Sequence, residues 1–157
     1  MQRFDLIVVD GYNLLHRSPE ALERLESDPL SARQRLLRQV ETVVPERADR
    51  MMVVFDGRSA GIDPAMTSER VEVRFAPGNL TADSVIERFV CAYANPERLL
   101  VATSDRAERD VVLGAGADVV SATEFLDWCA TARNRAAASR RPPSAPPPRL
   151  GDFFPND

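Results

Sequence analysis

The sequence predicts an α/β domain built on a mostly parallel sheet with helices over both faces, and three observations carry that prediction. Leu6-Ile7-Val8-Val9, Met51-Met52-Val53-Val54-Phe55 and Leu99-Leu100-Val101-Ala102 are continuous apolar runs. Runs of this kind mark strands buried on both faces, whereas a half-solvated antiparallel sheet would alternate. Segments with helical signals lie between the runs, as crossovers between parallel strands require. Finally, the runs lead into aspartates, Asp10, Asp56 and Asp105, the last through Thr103 and Ser104. Ligands of open α/β sheets sit in the crevice beyond the carboxyl ends of the strands, so these acids are expected to point toward one place.

Each element has its own local signal. Ser18-Pro19-Glu20 places a capping serine, a first-turn proline and an acid at the start of a short helix near 19 to 26. Ser31 is expected to open a longer helix through Val44, with Leu36, Leu37, Val40, Val43 and Val44 at helical spacing and Pro45 ending it. The second strand is expected at about 51 to 55, followed by a Gly/Ser/Asp/Pro-rich loop from Gly57 to Ser68. Val71, Val73 and Phe75 alternate with Glu72 and Arg74, the pattern of a half-exposed strand at or near an edge. Pro77-Gly78-Asn79 is a turn, and Thr81 caps a helix from about 82 to 94. After the third strand, residues 105 to 113 read as a short helix broken by Gly114 and Gly116. Asp118-Val119-Val120 is a brief last strand, and Ser121 with Glu124 forms a capping box for a final helix that carries Phe125, Leu126 and Trp128 inward and fades after residue 132.

With 157 residues the chain suits one domain and a tail, and a body of roughly 135 residues buries a core without disulfides or metal staples. The expected division is a domain at 1–135 and an Arg/Pro-rich tail at 136–157, where Pro142-Pro143-Ser144-Ala145-Pro146-Pro147-Pro148 reads as polyproline and Leu150, Phe153 and Phe154 form an apolar cluster. Cys91 and Cys129 lie in apolar helical segments and are expected to be buried free thiols. No secretory leader and no run near the roughly 18 apolar residues of a membrane span is present, so a soluble, cytoplasmic protein is expected. The net charge of −4 argues against a broad basic face for nucleic acid, although every one of the cationic side chains is arginine, whose planar fork suits phosphate.

A fourth acid, Asp83, follows the Thr81 cap in the first turn of its helix. Taken alone it complements the helix dipole. Because that helix leads into the strand before Asp105, a standard crossover puts its start at the same sheet end as the other acids. Clustered carboxylates repel unless a proton or cation lies between them, and magnesium or manganese prefers such hard oxygen donors. An ion held this way favours phosphodiester hydrolysis over acyl chemistry. Asn13 supplies a neutral amide near Asp10 that can orient a phosphate or water without adding charge, and Thr103 and Ser104 beside Asp105 are candidate substrate contacts of the same kind. Other strand-end chemistries fit poorly. A haloacid-type phosphatase needs a second aspartate where Tyr12 stands, a receiver domain needs a lysine that the chain lacks, and no Gly-x-Gly-x-x-Gly turn follows the first strand.

The ordered set Val9-Asp10-Gly11-Tyr12-Asn13, Val53-Val54-Phe55-Asp56, Arg70-Val71-Glu72-Val73, Thr81-Ala82-Asp83, Val101-Ala102-Thr103-Ser104-Asp105 and Gly114-x-Gly116-Ala117 resembles the NYN domains, relatives of the PIN nucleases, and within them the YacP-like bacterial endoribonucleases. The resemblance spans about residues 5 to 130 and leaves the tail outside. It implies a three-layer α/β/α PIN-like (NYN) fold with a mostly parallel central sheet, and metal-dependent RNA cleavage with Mg²⁺ or Mn²⁺. Asp10, Asp83 and Asp105 match the acidic positions that carry the metal, Asn13 and Asp56 the polar positions beside them. Glu108, one turn past Asp105, joins the metal candidates, with a solvated helix face as its other reading.

Arg17, Arg58, Arg106 and Arg109 leave the strand ends close to the acids and are candidate phosphate contacts, with solvated surface roles equally open. Tyr12 is a candidate base-stacking residue or core packing, and His16, the only histidine, is expected to take no part. The expected activity is endoribonucleolytic cleavage of single-stranded or exposed RNA. Its acidic balance suggests that a larger assembly, the ribosome or another RNA-presenting complex, offers the substrate, with the tail as a candidate protein contact. A DNA or flap nuclease using the same acids and a non-catalytic RNA- or protein-binding module are the alternatives.

Overall fold

The computed structural model describes residues 2–57, 61–62 and 67–140. Its elements run β1 Phe4–Asp10, α1 Gly11–Arg17, α2 Pro19–Leu25, α3 Pro29–Glu41, α4 Val44–Arg47, β2 Ala48–Asp56, β3 Gly61–Ile62, β4 Val71–Ala76, α5 Ala82–Ala92, β5 Leu99–Ala102, α6 Arg106–Gly114, β6 Asp118–Val120 and α7 Ala122–Arg140. The sheet order is β3-β4-β2-β1-β5-β6, parallel from β4 to β6, with the two-residue β3 antiparallel on the edge. From β1 the chain moves outward through β2 and β4, then returns to pair β5 with the other side of β1. The order therefore reverses between β1 and β5, the switch point at whose carboxyl ends ligands of open α/β sheets bind.

Alternation of side chains along the strands divides the core into two layers. Ile7 and Val9 of β1, with Met51, Val53 and Phe55 of β2, pack under α1, α3 and α7 through Leu14, Leu36, Val40 and Phe125. Val8, Met52, Val54, Leu99 and Val101 face the opposite way, against Ile86 and Val90 of α5 and Val112 of α6. The expected three-layer α/β/α arrangement is thus the observed one, and the alternating segment at β4 lies one place in from the edge.

Several local expectations are corrected. Asp28, not Ser31, caps α3, accepting the Ser31 N–H at 3.1 Å with Pro29 in the first turn. Pro45 does not end that helix. It stands in the first turn of the separate α4, where its missing N–H has no helical partner to lose. The loop after Gly57 contains the edge strand β3, and α7 continues as helix through Arg140 rather than fading near residue 132. Cys91 is exposed, because it falls beside the buried Ala82, Ile86 and Val90 stripe of α5. Cys129 is buried, and burial pushes its thiol up to about 12, which leaves it unreactive. Arg58 and the proline-rich end lie outside the described residues. Among the described residues no helix is long and apolar enough to cross a membrane.

Candidate active site

Three carboxylates meet at the β1/β5 crevice. Asp10 ends β1 and caps α1, accepting the Asn13 N–H at 3.3 Å while only 6% exposed. Asp83 enters from the first turn of α5, and Glu108 from the first turn of α6, where it is 1% exposed. One carboxylate oxygen from each of the three lies within 4.8 Å of the others. Residues nearly 100 positions apart come together because both α5 and α6 begin at the carboxyl end of the sheet.

Each acid is placed by its neighbours. Asp56 extends from the end of β2 and accepts the Ala82 N–H at 2.6 Å, which pins the first turn of α5 and hence Asp83. Asp105 caps α6 by accepting the Glu108 N–H at 3.0 Å. The Thr103 hydroxyl, fully buried, accepts the Asp105 N–H and donates to Oε2 of Glu108, both at 3.1 Å. Asn13 turns its Oδ1 to the Ser104 N–H at 2.9 Å, and the Ser104 hydroxyl oxygen accepts the Ala122 N–H at the start of α7. Gly11 is required by close approach, since a Cβ there would run into the Phe55 ring. Tyr12 meets that ring edge-on at 5.4 Å between centroids.

The electrostatics follow from packing acids without a counter-charge. Burial, then the bond to Asp83, pushes Asp10 up to about 7, against smaller opposing effects of Glu108 and the Asn13 N–H. Burial, then Asp83 and Asp10, pushes Glu108 up to about 10. Such groups hold protons between them unless a cation takes their place. The Oε1 of Glu108 is buried with no hydrogen-bond partner, although buried polar atoms are nearly always satisfied. A set of hard oxygen donors with one inward oxygen unclaimed fits a divalent cation, and Asp10, Asp83 and Glu108 can hold a metal ion.

The profile of the YacP-like NYN domain matches residues 7–145. The chain belongs to that family. YacP of Bacillus subtilis (strain 168) is 34% identical over 133 residues, covering 83% of this chain and 78% of that protein. Two crystal structures of Rae1 (YacP) from Bacillus subtilis share the fold. One has a TM-score of 0.74 at 34% identity, covering 87% of this chain and 80% of the other. A tryptophan-to-leucine variant gives 0.67 at 33% identity, covering 87% and 86%. The NYN family is nuclease-related, so the protein is a nuclease-family module with an acidic cluster of buried Asp10 and Glu108 and half-buried Asp83.

Asp10, Asp56, Asp83, Asp105 and Glu108 stand at strand ends and helix starts of one sheet end, with a division of labour that the motifs do not display. Glu108 stands with Asp10 and Asp83 in the three-acid group, while Asp105 and Asp56 direct an oxygen to the backbone N–H groups that set α6 and α5. Thr103 and Asn13 are committed to internal bonds. Arg17, at the C-terminal end of α1, and Arg106 are exposed, Arg109 is half-buried, and His16 is exposed. Arg33 of α3, to which the sequence reading gave no role, lays its guanidinium over the Phe75 and Phe55 rings. No periodic signal distinguishes it from the other arginines of its helix.

Proposed function

We propose that the protein is a metal-dependent endoribonuclease that hydrolyses phosphodiester bonds of single-stranded or exposed RNA in the cytoplasm, with Mg²⁺ or Mn²⁺ held by Asp10, Asp83 and Glu108. The supporting observation is the meeting of these carboxylates from three separate elements, with a buried Glu108 oxygen left without a partner. When bound, the divalent ion supplies Lewis-acid stabilisation of the charge on a transferring phosphoryl group. The chain's own residues build the cradle. Thr103 orients Glu108, Asp105 and Asp56 fix the helices that carry two of the acids, and Asn13 joins the strand ends across the crevice. Asp105, whose Oδ1 accepts the Glu108 N–H, is proposed as a further ligand of the same ion.

Arg17, Arg58, Arg106 and Arg109 are proposed backbone contacts, and Tyr12, with Ser104, a contact to the displayed nucleotide. With a net charge of −4, tight binding to free RNA is not expected. A larger RNA-presenting assembly, the ribosome being one, is therefore proposed to offer the substrate, with residues 136–157 as a protein contact beyond a domain at 1–135.

The test is cleavage of labelled single-stranded RNA and a matched DNA with Mg²⁺ or Mn²⁺, for wild type, Asp10→Asn and Asp83→Asn at equal fold content. RNA cutting that needs metal and disappears in both variants is the expected result. Preferential DNA cutting would move the reading to a DNA nuclease. Failure of the wild type to cut RNA alone or with ribosomes, together with failure to bind either metal, would overturn it.

A further inference from the structure

We infer that Arg33 is a backbone-phosphate contact that receives the RNA strand on the β4 side of the acidic centre, an inference that rests on the endoribonuclease reading. The guanidinium carbon of Arg33 lies 5.4 Å from the Phe75 ring centroid and 6.0 Å from that of Phe55. Those two rings stack at 5.8 Å, next to the carboxyl ends of β4 and β2. Phe55 also takes the edge of Tyr12 and the backbone of Gly11, the residue after Asp10. One aromatic ring therefore separates Arg33 from the turn that carries the first acid.

Among the described residues no side chain neutralises this cation. Arg3, Arg74, Arg98 and Arg135 pair with Asp49, Glu72, Asp5 and Glu46, whereas no carboxylate among the described residues pairs with Arg33. Its Nε is buried without a hydrogen-bond partner. Arg47 also covers an aromatic ring, that of Trp128 at 3.8 Å, but it precedes β2 and so belongs to the opposite end of the sheet. A guanidinium laid on rings is oriented before a ligand arrives, so little rotamer freedom remains to be lost. The partner that suits a fixed, unneutralised fork is a phosphate, which offers only acceptors and matches it in plane. Arg33 lies with Phe55 on the α1/α3/α7 layer, while Asp83 and Glu108 enter from α5 and α6 on the other, so such a cation draws the strand over the carboxyl ends of β2 and β4 without adding a group to the metal cradle.

The experiment is steady-state cleavage of a single-stranded RNA oligonucleotide with Mn²⁺ at several salt concentrations, comparing wild type, Arg33→Met and Arg33→Lys, with thermal melts as fold controls. Arg33→Met is expected to raise KM about tenfold, leave kcat within about twofold, and flatten the logarithmic salt slope by about 0.7, the value for one lost single-strand phosphate contact. Arg33→Lys keeps the charge and loses the fork, so its salt slope should match wild type while KM rises severalfold. Unchanged KM and salt slope in folded Arg33→Met would overturn the inference. Should Arg33→Met not fold, unchanged KM in Arg33→Lys would do the same. A fall in kcat at constant KM and slope would assign Arg33 to packing alone. Failure of the wild type to cleave RNA, alone or with ribosomes, together with failure to bind Mn²⁺, overturns the endoribonuclease reading itself and is seen before any variant is compared.

Discussion

The Ser104 backbone N–H donates to Oδ1 of Asn13 at 2.9 Å, joining the turn after β1 to the end of β5 across 91 residues of sequence. This bond closes the floor of the crevice at the point where the strand order reverses. It also explains why an asparagine stands there. A neutral acceptor satisfies the N–H without adding a fourth charge to Asp10, Asp83 and Glu108.

Replacing Asn13 with alanine should leave the Ser104 N–H unsatisfied and destabilise the protein by about 1–3 kcal/mol, read from urea unfolding. Asn13→Asp retains an acceptor but brings another carboxylate to the group. Its metal-free stability should therefore fall with rising pH more steeply than that of wild type. Equal stability of Asn13→Ala and wild type would show that this bond is dispensable.

Asp56 acts on the acidic group through the Ala82 N–H, so its substitutions should separate positioning from charge. Asp56→Ala removes the acceptor at the start of α5 and should cost about 0.5–2 kcal/mol, the range for a lost helix cap. Because Asp83 rides on the same turn, Mn²⁺ affinity should fall as well. Asp56→Asn keeps an acceptor oxygen and should retain most of both. Calorimetric titration with Mn²⁺ checks the ordering, and equal affinities for all three proteins would contradict it.

The metal-free protein should lose stability as pH rises. Asp10 and Glu108 are raised from ordinary carboxyl values to about 7 and about 10, so the folded state holds protons that the unfolded state has released. Their stabilising contribution is complete below the unfolded carboxyl range and is lost as pH climbs through the folded values. In chelator, the melting temperature should drop between pH 5 and pH 8. A divalent ion binds the ionised group, so saturating Mn²⁺ should restore more at pH 8 than at pH 5. Metal at a hundred times its Kd adds about 2.7 kcal/mol, which is about 5–11 °C at the 2–4 °C per kcal/mol usual for a domain of this size.

Glu108→Gln inverts the ordinary expectation for a buried polar substitution. The amide is nearly isosteric, its oxygen can still accept from Thr103, and one buried acid disappears. Without metal at pH 8 the variant should melt at or above the wild-type temperature, while its melting temperature should no longer respond to Mn²⁺. A wild-type metal response in Glu108→Gln would remove Glu108 from the proposed cradle.

Much of this architecture was legible in the letters. The apolar runs at 6 to 9, 51 to 55 and 99 to 102 became the three central strands because burial on both faces leaves no other use for such segments. Ser18, Thr81 and Ser121 cap the helices they were expected to cap, since each needs only its own side chain and an N–H three residues on. The failures have equally local causes. Asp28-Pro29 is as good a start as Ser31, and Pro45 can open a helix as well as close one.

The sequence by itself determined the strands, the helix starts and the set of acids at the strand ends, because these depend on neighbours within a few residues. Only the tertiary structure decided which acids face one another. Asp83 and Glu108 are first-turn residues of their helices, where a carboxylate ordinarily complements the helix dipole in solvent. Crossover packing brings both against Asp10 and buries Glu108 to 1% exposure. The same packing set Arg33 of α3 on Phe75 of β4 and Phe55 of β2, three residues that share no local pattern and meet only in the packed fold. Helical periodicity records which face of a helix is buried, but the partner that covers it is chosen by the order of strands in the sheet.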